Sequence, residues 1–185
     1  MNHVDYEINK ELGECYLFMG EYEKARDYYN KAVASNNGMS DPYMGLAAIA
    51  VQEGNLDAAY TLYCKANQVG PGEKPLTGMG MIEVELARYE DAFDHFRAAL
   101  GYNPGNMMAV NSMLQLAHVL NRLEDAIPCL EAALEPGDTE AVRYALAACL
   151  ISLGRDDEAK RHLELLLGEN PSNDSAKQLY AQFAA

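Results

Sequence analysis

Apolar residues along this chain recur three and four residues apart, in runs separated by short turn-forming sequences. This spacing places apolar side chains on one face of a helix, whereas a half-buried strand alternates every second residue. Gly, Pro and Asn end the runs, and these residues stop helices. The breaks are NNG at 36–38, VGPG at 69–72, NPG at 103–105, EPGD at 135–138 and ENPS at 169–172. The pattern therefore predicts an all-α chain of short helices.

Five alanines occur 34, 33, 34 and 33 residues apart in similar surroundings. They are Ala25, Ala59, Ala92, Ala126 and Ala159. A large side chain follows each alanine four residues later (Tyr29, Tyr63, Phe96, Leu130, Leu163), and Ala32, Ala66, Ala99, Ala133 or Leu166 stands three further on. A second turn precedes the alanine, at Gly20, Gly54 and Gly154. Each unit is therefore predicted to be a hairpin of helix A and helix B, which buries its apolar face against its neighbours.

This arrangement resembles the tetratricopeptide repeat, a 34-residue helix–turn–helix unit. The resemblance covers roughly residues 6–173 and implies a right-handed superhelical solenoid of about five hairpins. The predicted organisation is an N-terminal lead at 1–5, repeats at about 6–39, 40–72, 73–106, 107–139 and 140–173, and a capping helix at 174–185. The family's tryptophan in helix A is absent, and repeat four carries Leu114 and Asn121 where small turn-compatible residues are usual.

The resemblance also implies that ligands contact the side of each helix A that faces the inside of the superhelix. The predicted peptide-binding residues are Leu17, Phe18, Met44, Val51, Met81, Val84, Met108, Asn111, Gln115, His118 and Tyr144. Residues 98–121 contain no Asp, Glu, Lys or Arg. Two interpretations stay open for this neutral stretch: burial between neighbouring helices, or a soft methionine-lined groove whose Asn111, Gln115 and His118 bond a peptide backbone.

The charge of the chain limits the partners it can bind. Of its 185 residues 28 are acidic and 14 are basic, giving a net charge of −14. Such a chain repels nucleic acid and anionic bilayers. It contains no run of 18 apolar residues and does not begin with a signal-peptide pattern, so we expect no membrane insertion and a cytoplasmic location. A protein or peptide partner with basic residues flanking apolar anchors suits this charge.

Two cysteines, one glutamate and one proline occupy unusual positions, and the repeat pattern predicts a structural role for each. Cys15 and Cys149 share the slot of Ile49, Ile82 and Leu116 and are predicted to be buried apolar residues, so we expect no metal site and no cofactor. Glu83 stands in a slot that is apolar elsewhere. A structural ion pair with Arg88 or Arg97 is predicted for it, and a contact with a ligand in the groove is the alternative. Pro128 is predicted to lie in the first turn of its helix, where a missing N–H costs nothing.

The function predicted from the sequence is a non-enzymatic scaffold or adaptor that binds a peptide segment of another protein. Histidines are scattered and no nucleophile elbow or phosphate loop is present. A self-assembling scaffold is an alternative, with Tyr28, Tyr60 and Phe93 on helices B as candidate contacts. A chaperone for a secreted client is another.

Overall fold

A computed structural model describes residues 3–134 and 140–184, and this part of the chain is helical without a strand. The helices are α1 (His3–Phe18), α2 (Tyr22–Ser35), α3 (Asp41–Gln52), α4 (Leu56–Val69), α5 (Glu73–Glu85), α6 (Tyr89–Tyr102), α7 (Met107–Val119), α8 (Leu123–Leu134), α9 (Glu140–Ser152), α10 (Asp156–Glu169) and α11 (Asp174–Tyr180). A 3₁₀ turn, Ala181–Ala184, follows α11. The predicted break at 135–138 lies outside the described residues, and α1 begins at His3, within the predicted lead.

The five alanines that define the repeat are all completely buried, each at 0% exposure. They lie near the starts of α2, α4, α6, α8 and α10, so the odd-numbered helices are helices A and the even-numbered ones helices B. Local chemistry starts several of these helices. Asn55, for example, caps α4 by accepting a hydrogen bond from the backbone N–H of Ala58 at 3.1 Å.

The turn inside each hairpin has a left-handed residue at the same position. Gly20, Gly54 and Gly154 occupy it in three hairpins, with φ between 71° and 75°. Ala87 (φ 56°) and Asn121 (φ 54°) adopt the same conformation in the other two. Glycine adopts the left-handed conformation without steric strain, whereas the Cβ atom of alanine makes this conformation unfavourable. The unusual Asn121 noted in the sequence therefore keeps the turn geometry of its neighbours.

The chain divides into two compact units, residues 1–99 and 100–185, and α6 runs from the first into the second. In the first unit the ring of Tyr29 fills the space above two glycines on different helices. A Cβ atom on Gly13 of α1 would lie 2.7 Å from Cδ1 of Tyr29, and one on Gly45 of α3 would overlap the same ring. The ring of this helix B residue thus fills the gap between the first two hairpins.

In the second unit, α9, α10 and α11 share an apolar cluster. Leu163 and Leu166 of α10 are fully buried there with Ala147 and Ala176. The side-chain amides of Asn170 and Asn173 donate hydrogen bonds to the Glu140 carboxylate at 2.9 and 3.0 Å. These contacts fix the start of α11 against the start of α9.

Two predictions about single residues are wrong. Cys15 is exposed, although Cys149 in the same slot is buried, because no described helix precedes α1 to cover that slot. Pro128 is the sixth residue of α8 and therefore lies beyond the first turn. The carbonyl of Glu124 consequently receives no helical hydrogen bond from residue 128.

Candidate functional site

A pocket of about 450 Å³ opens in the first unit between α3, α4 and α5. Two predicted groove residues, Val51 of α3 and Met81 of α5, line it together. The remaining lining residues are Ala48, Gln52, Leu56, Tyr63, Gly78, Ile82 and Glu85. The lining is apolar apart from Gln52 and Glu85, so the pocket suits an apolar side chain with a polar or cationic neighbour.

A glycine on α5 accommodates the aromatic ring that forms one wall of this pocket. Gly78 faces the ring of Tyr63, and a Cβ atom there would lie 2.5 Å from Cε1 of that ring. Burial raises the pKa of the Tyr63 hydroxyl. Tyr63 and Leu56 lie on helix B of the second hairpin and were not predicted as site residues. The repeat pattern assigns Tyr63 to packing, and it does not single out Leu56.

The other predicted groove residues of the first unit do not join this pocket. Met44 lines a separate cavity of about 230 Å³ with Asp41 and Lys74, beside the starts of α3 and α5. Phe18 is 95% exposed at the end of α1. Leu17 is half-buried and packs on the core cluster of Ala25, Tyr29, Leu46 and Ile49. Val84 is half-buried without lining either cavity.

In the second unit the predicted groove residues lie mainly along one helix. Met108, Asn111, Gln115 and His118 of α7 follow one another at spacings of three and four residues and are all exposed. They therefore share one face of α7. Tyr144 of α9 is half-buried and packs on the apolar cluster around Leu163 and Leu166. Because Met108, Asn111, Gln115 and His118 are exposed, burial does not explain why these four positions of α7 carry no Asp, Glu, Lys or Arg.

Glu83 is buried as expected, but its predicted partners are wrong. Oε2 of Glu83 lies 2.6 Å from Nδ1 of His95 on α6. Tyr60 of α4 also hydrogen-bonds the carboxylate, and burial followed by this bond raises the pKa of the Tyr60 hydroxyl. Arg97 instead pairs with Asp94, at 3.4 Å. Side chains from the helix before α5 and the helix after it therefore interact with this carboxylate.

The candidate contacts for self-assembly differ in exposure. Phe93 is completely buried and cannot contact another molecule, so that prediction is wrong. Tyr60 is half-buried, and Tyr28 is half-buried with its ring stacked on Tyr16 at 5.3 Å between centroids.

The described residues contain no group of His, Cys, Asp and Glu side chains able to hold a metal ion. Within the same residues, no helix has the length and apolar content to cross a bilayer.

Comparison with family models assigns the repeat. Three models, each describing a tetratricopeptide repeat, match residues 6–38, 77–141 and 121–183. The chain belongs to the tetratricopeptide repeat (TPR) family. TPR solenoids present extended surfaces to other proteins, so the family supports a protein–protein interaction scaffold. Right-handed superhelical winding and the count of five repeats stay predictions.

Curated relatives of this TPR chain are longer proteins. It is 34% identical over 119 residues to BBSome complex member BBS4 of Bos taurus, a match covering 62% of this chain and 23% of BBS4. The chain thus spans less than a quarter of that relative.

Solved structures share the TPR fold at lower identity. YrrB, described as a TPR protein with an unusual peptide-binding site, is 17% identical with a TM-score of 0.62, over 92% of this chain and 89% of its own. Pseudomonas aeruginosa pilF is 19% identical with a TM-score of 0.63, over 96% of this chain and 90% of its own.

Proposed function

We propose that this TPR chain is a non-enzymatic scaffold that binds a peptide segment of a partner protein through its helix A surface. The pocket between α3, α4 and α5 is the observation that carries the proposal. Val51 and Met81 line there a largely apolar cavity of about 450 Å³. A side chain of the size of Leu, Met or Phe fits such a cavity.

The chemistry of the pocket edge defines the expected partner. Glu85 lines the pocket and is exposed. With a net charge of −14, the chain favours a peptide that carries Lys or Arg beside its apolar anchor. Met81 adds a flexible and polarisable wall, which adapts to anchors of different shape. Met108, Asn111, Gln115 and His118 on α7 form a second proposed contact surface within their own unit.

Substitution at Met81 tests the pocket. Peptides selected from a random library on the full chain provide the probe, and their affinity is measured by calorimetry. Met81→Glu places a charge in the apolar pocket and should weaken binding at least about tenfold. Leu165→Glu on α10 is the matched control, because Met81 is 48% and Leu165 is 53% exposed. Equal losses from the two variants contradict the proposal.

Salt dependence tests the expected charge of the partner. If Lys or Arg flanks the anchor, raising the ionic strength should weaken binding to the wild-type chain, because salt screens exposed charge pairs. An affinity that does not depend on salt contradicts the prediction of basic residues beside the anchor, but it does not contradict binding of the anchor in the pocket. The proposed location is the cytoplasm, and microscopy of a fluorescent fusion in the source cells tests it.

A further inference from the structure

The first unit contains a second cavity, at the starts of α3 and α5, with a volume of about 230 Å³. Three of its lining residues carry polar groups, Ser40, Asp41 and Lys74, and Met44 adds an apolar wall. We call it the small cavity, and we call the pocket lined by Val51 and Met81 the large pocket. Unlike the largely apolar large pocket, the small cavity presents charges of both signs to a ligand.

The two cavities follow one another along the same two helices. On α3, Met44 lines the small cavity and Val51 lines the large pocket. On α5, Lys74 lines the small cavity and Met81 lines the large pocket. The two residues of each pair are seven positions apart, so they share one face of their helix. Seven residues of α-helix span about 10 Å, and a single peptide can therefore reach both cavities.

The charges of the small cavity are unpaired in the described part of the chain. Asp41 and Lys74 are both exposed, and neither forms an ion pair or a side-chain hydrogen bond with another described residue. Glu73 also lines the cavity, but it has an interaction of its own. The Oγ atom of Ser40 is buried and has no hydrogen-bond partner among the described residues. The cavity thus offers a strong donor and a strong acceptor to a ligand.

This pair of opposite charges favours a neutral amide over a charged side chain. A carboxamide combines a carbonyl oxygen, which accepts hydrogen bonds, with an NH₂ group, which donates two. The carbonyl oxygen can accept from the Lys74 ammonium group while the NH₂ group donates to the Asp41 carboxylate. A carboxylate would be attracted by Lys74 but repelled by Asp41, and an ammonium group would be repelled by Lys74.

We propose that the small cavity is a subsite for an Asn or Gln side chain of the bound peptide. The inference rests on the proposed function, because the same peptide places its apolar anchor in the large pocket. Three residues of polyproline II or seven residues of α-helix span about 10 Å and keep both side chains on one side of the peptide. Along α5, Lys74 precedes Met81 and Glu85 follows it. The amide and the basic residue expected near Glu85 therefore lie on opposite sides of the anchor.

Combined substitutions in the chain and the peptide test the subsite. Peptides are selected from a random library on the full chain, and those whose affinity falls with Met81→Glu are kept. They should carry Asn or Gln three or seven residues from the anchor. Replacing this amide with Leu should weaken binding to the wild-type chain about tenfold, measured by calorimetry. The same replacement should change the affinity for Asp41→Ala/Lys74→Ala less than about twofold, because the partners of the amide are already absent.

The double variant Asp57→Ala/Lys65→Ala on α4 is the matched control. It removes the same two charges from exposed positions, and Asp57 lies in the first turn of α4 as Asp41 lies in the first turn of α3. In this control the amide should retain its full tenfold contribution.

Three results overturn the subsite. The first is a set of Met81-dependent peptides without an amide at either spacing. The second is a charged residue at that place whose contribution depends on Asp41 alone or on Lys74 alone. The third is an equal effect of the amide replacement on the wild-type chain and on Asp41→Ala/Lys74→Ala. In all three cases the proposed function stands, because binding still depends on Met81. A library that yields no Met81-dependent peptide contradicts the proposed function itself, and the subsite with it.

Discussion

Nδ1 of His95 on α6 lies 2.6 Å from Oε2 of Glu83 on α5, and this carboxylate is only 1% exposed. Tyr60 on α4 hydrogen-bonds the same carboxylate. One buried acidic group therefore connects three helices of the first unit. The corresponding residue is Ala50 in the preceding hairpin and Leu150 in the last, so an apolar side chain is compatible with this slot.

We expect His95→Ala to lower the free energy of unfolding by about 2–4 kcal/mol, because it leaves a buried carboxylate with one partner fewer. Urea unfolding followed by circular dichroism measures the change. The double variant Glu83→Leu/His95→Ala should be more stable than His95→Ala alone, since no buried charge remains. A double variant that is less stable than the single one would show that the carboxylate itself contributes more than its burial costs.

Ala87 occupies a left-handed position that glycine occupies in three other hairpins. A residue with a Cβ atom is destabilised there by about 1–2 kcal/mol. Glycine avoids this strain, but it also makes the unfolded chain more flexible, which offsets part of the gain in stability. Ala87→Gly should therefore raise the free energy of unfolding by about 0.5–1 kcal/mol. The reverse change at the equivalent position, Gly54→Ala, should lower it. The prediction fails if both substitutions shift the urea midpoint in the same direction.

Pro128 interrupts the hydrogen bonding of α8 at its sixth residue. Replacing it with alanine restores an N–H donor for the carbonyl of Glu124. We expect Pro128→Ala to stabilise the protein by about 1–3 kcal/mol in thermal or urea unfolding. Pro75→Ala is the comparison, because Pro75 lies in the first turn of α5 and is buried; it should bring no gain. A destabilised Pro128→Ala variant would contradict the proposed cost.

Burial raises the pKa of the Tyr29 hydroxyl to about 12, from an ordinary value of 10.0. Below pH 10 the hydroxyl is protonated in both states. Between pH 10 and 12 it ionises in the unfolded chain alone, so the free energy of unfolding falls by about 1.4 kcal/mol per pH unit from this group. Tyr29→Phe should remove that part of the alkaline slope, whereas Tyr102→Phe at an exposed position should not. Unfolding curves between pH 9 and 12 measure both slopes.

The repeat could be predicted from the sequence because packing restricts its key positions so strongly. Ala25, Ala59, Ala92, Ala126 and Ala159 are small wherever two backbones approach, and all five are buried. Cys15 was predicted wrongly because its slot is buried only when a preceding helix B covers it. Sequence periodicity identifies the slot but does not show whether a neighbour is present.

The candidate site was only partly predictable. Val51 and Met81 were named from their positions on helix A, and they line one pocket together. The pocket also needs Tyr63 from helix B, whose position depends on the space left by Gly78. Likewise, the partner of Glu83 was sought among arginines, yet the packing of α6 brings His95 to it. Both features depend on distances between helices that spacing along one helix does not determine.

The ring of Tyr29 touches glycines that belong to two successive hairpins, Gly13 and Gly45. No one of these three positions can change in size without the others, because a methyl group at either glycine occupies volume that the ring already fills. Related sequences should therefore vary them jointly, with a smaller residue at 29 wherever alanine replaces a glycine. In a family alignment, correlated changes at these three positions would show that the side-chain size in one repeat limits the side-chain size in the next.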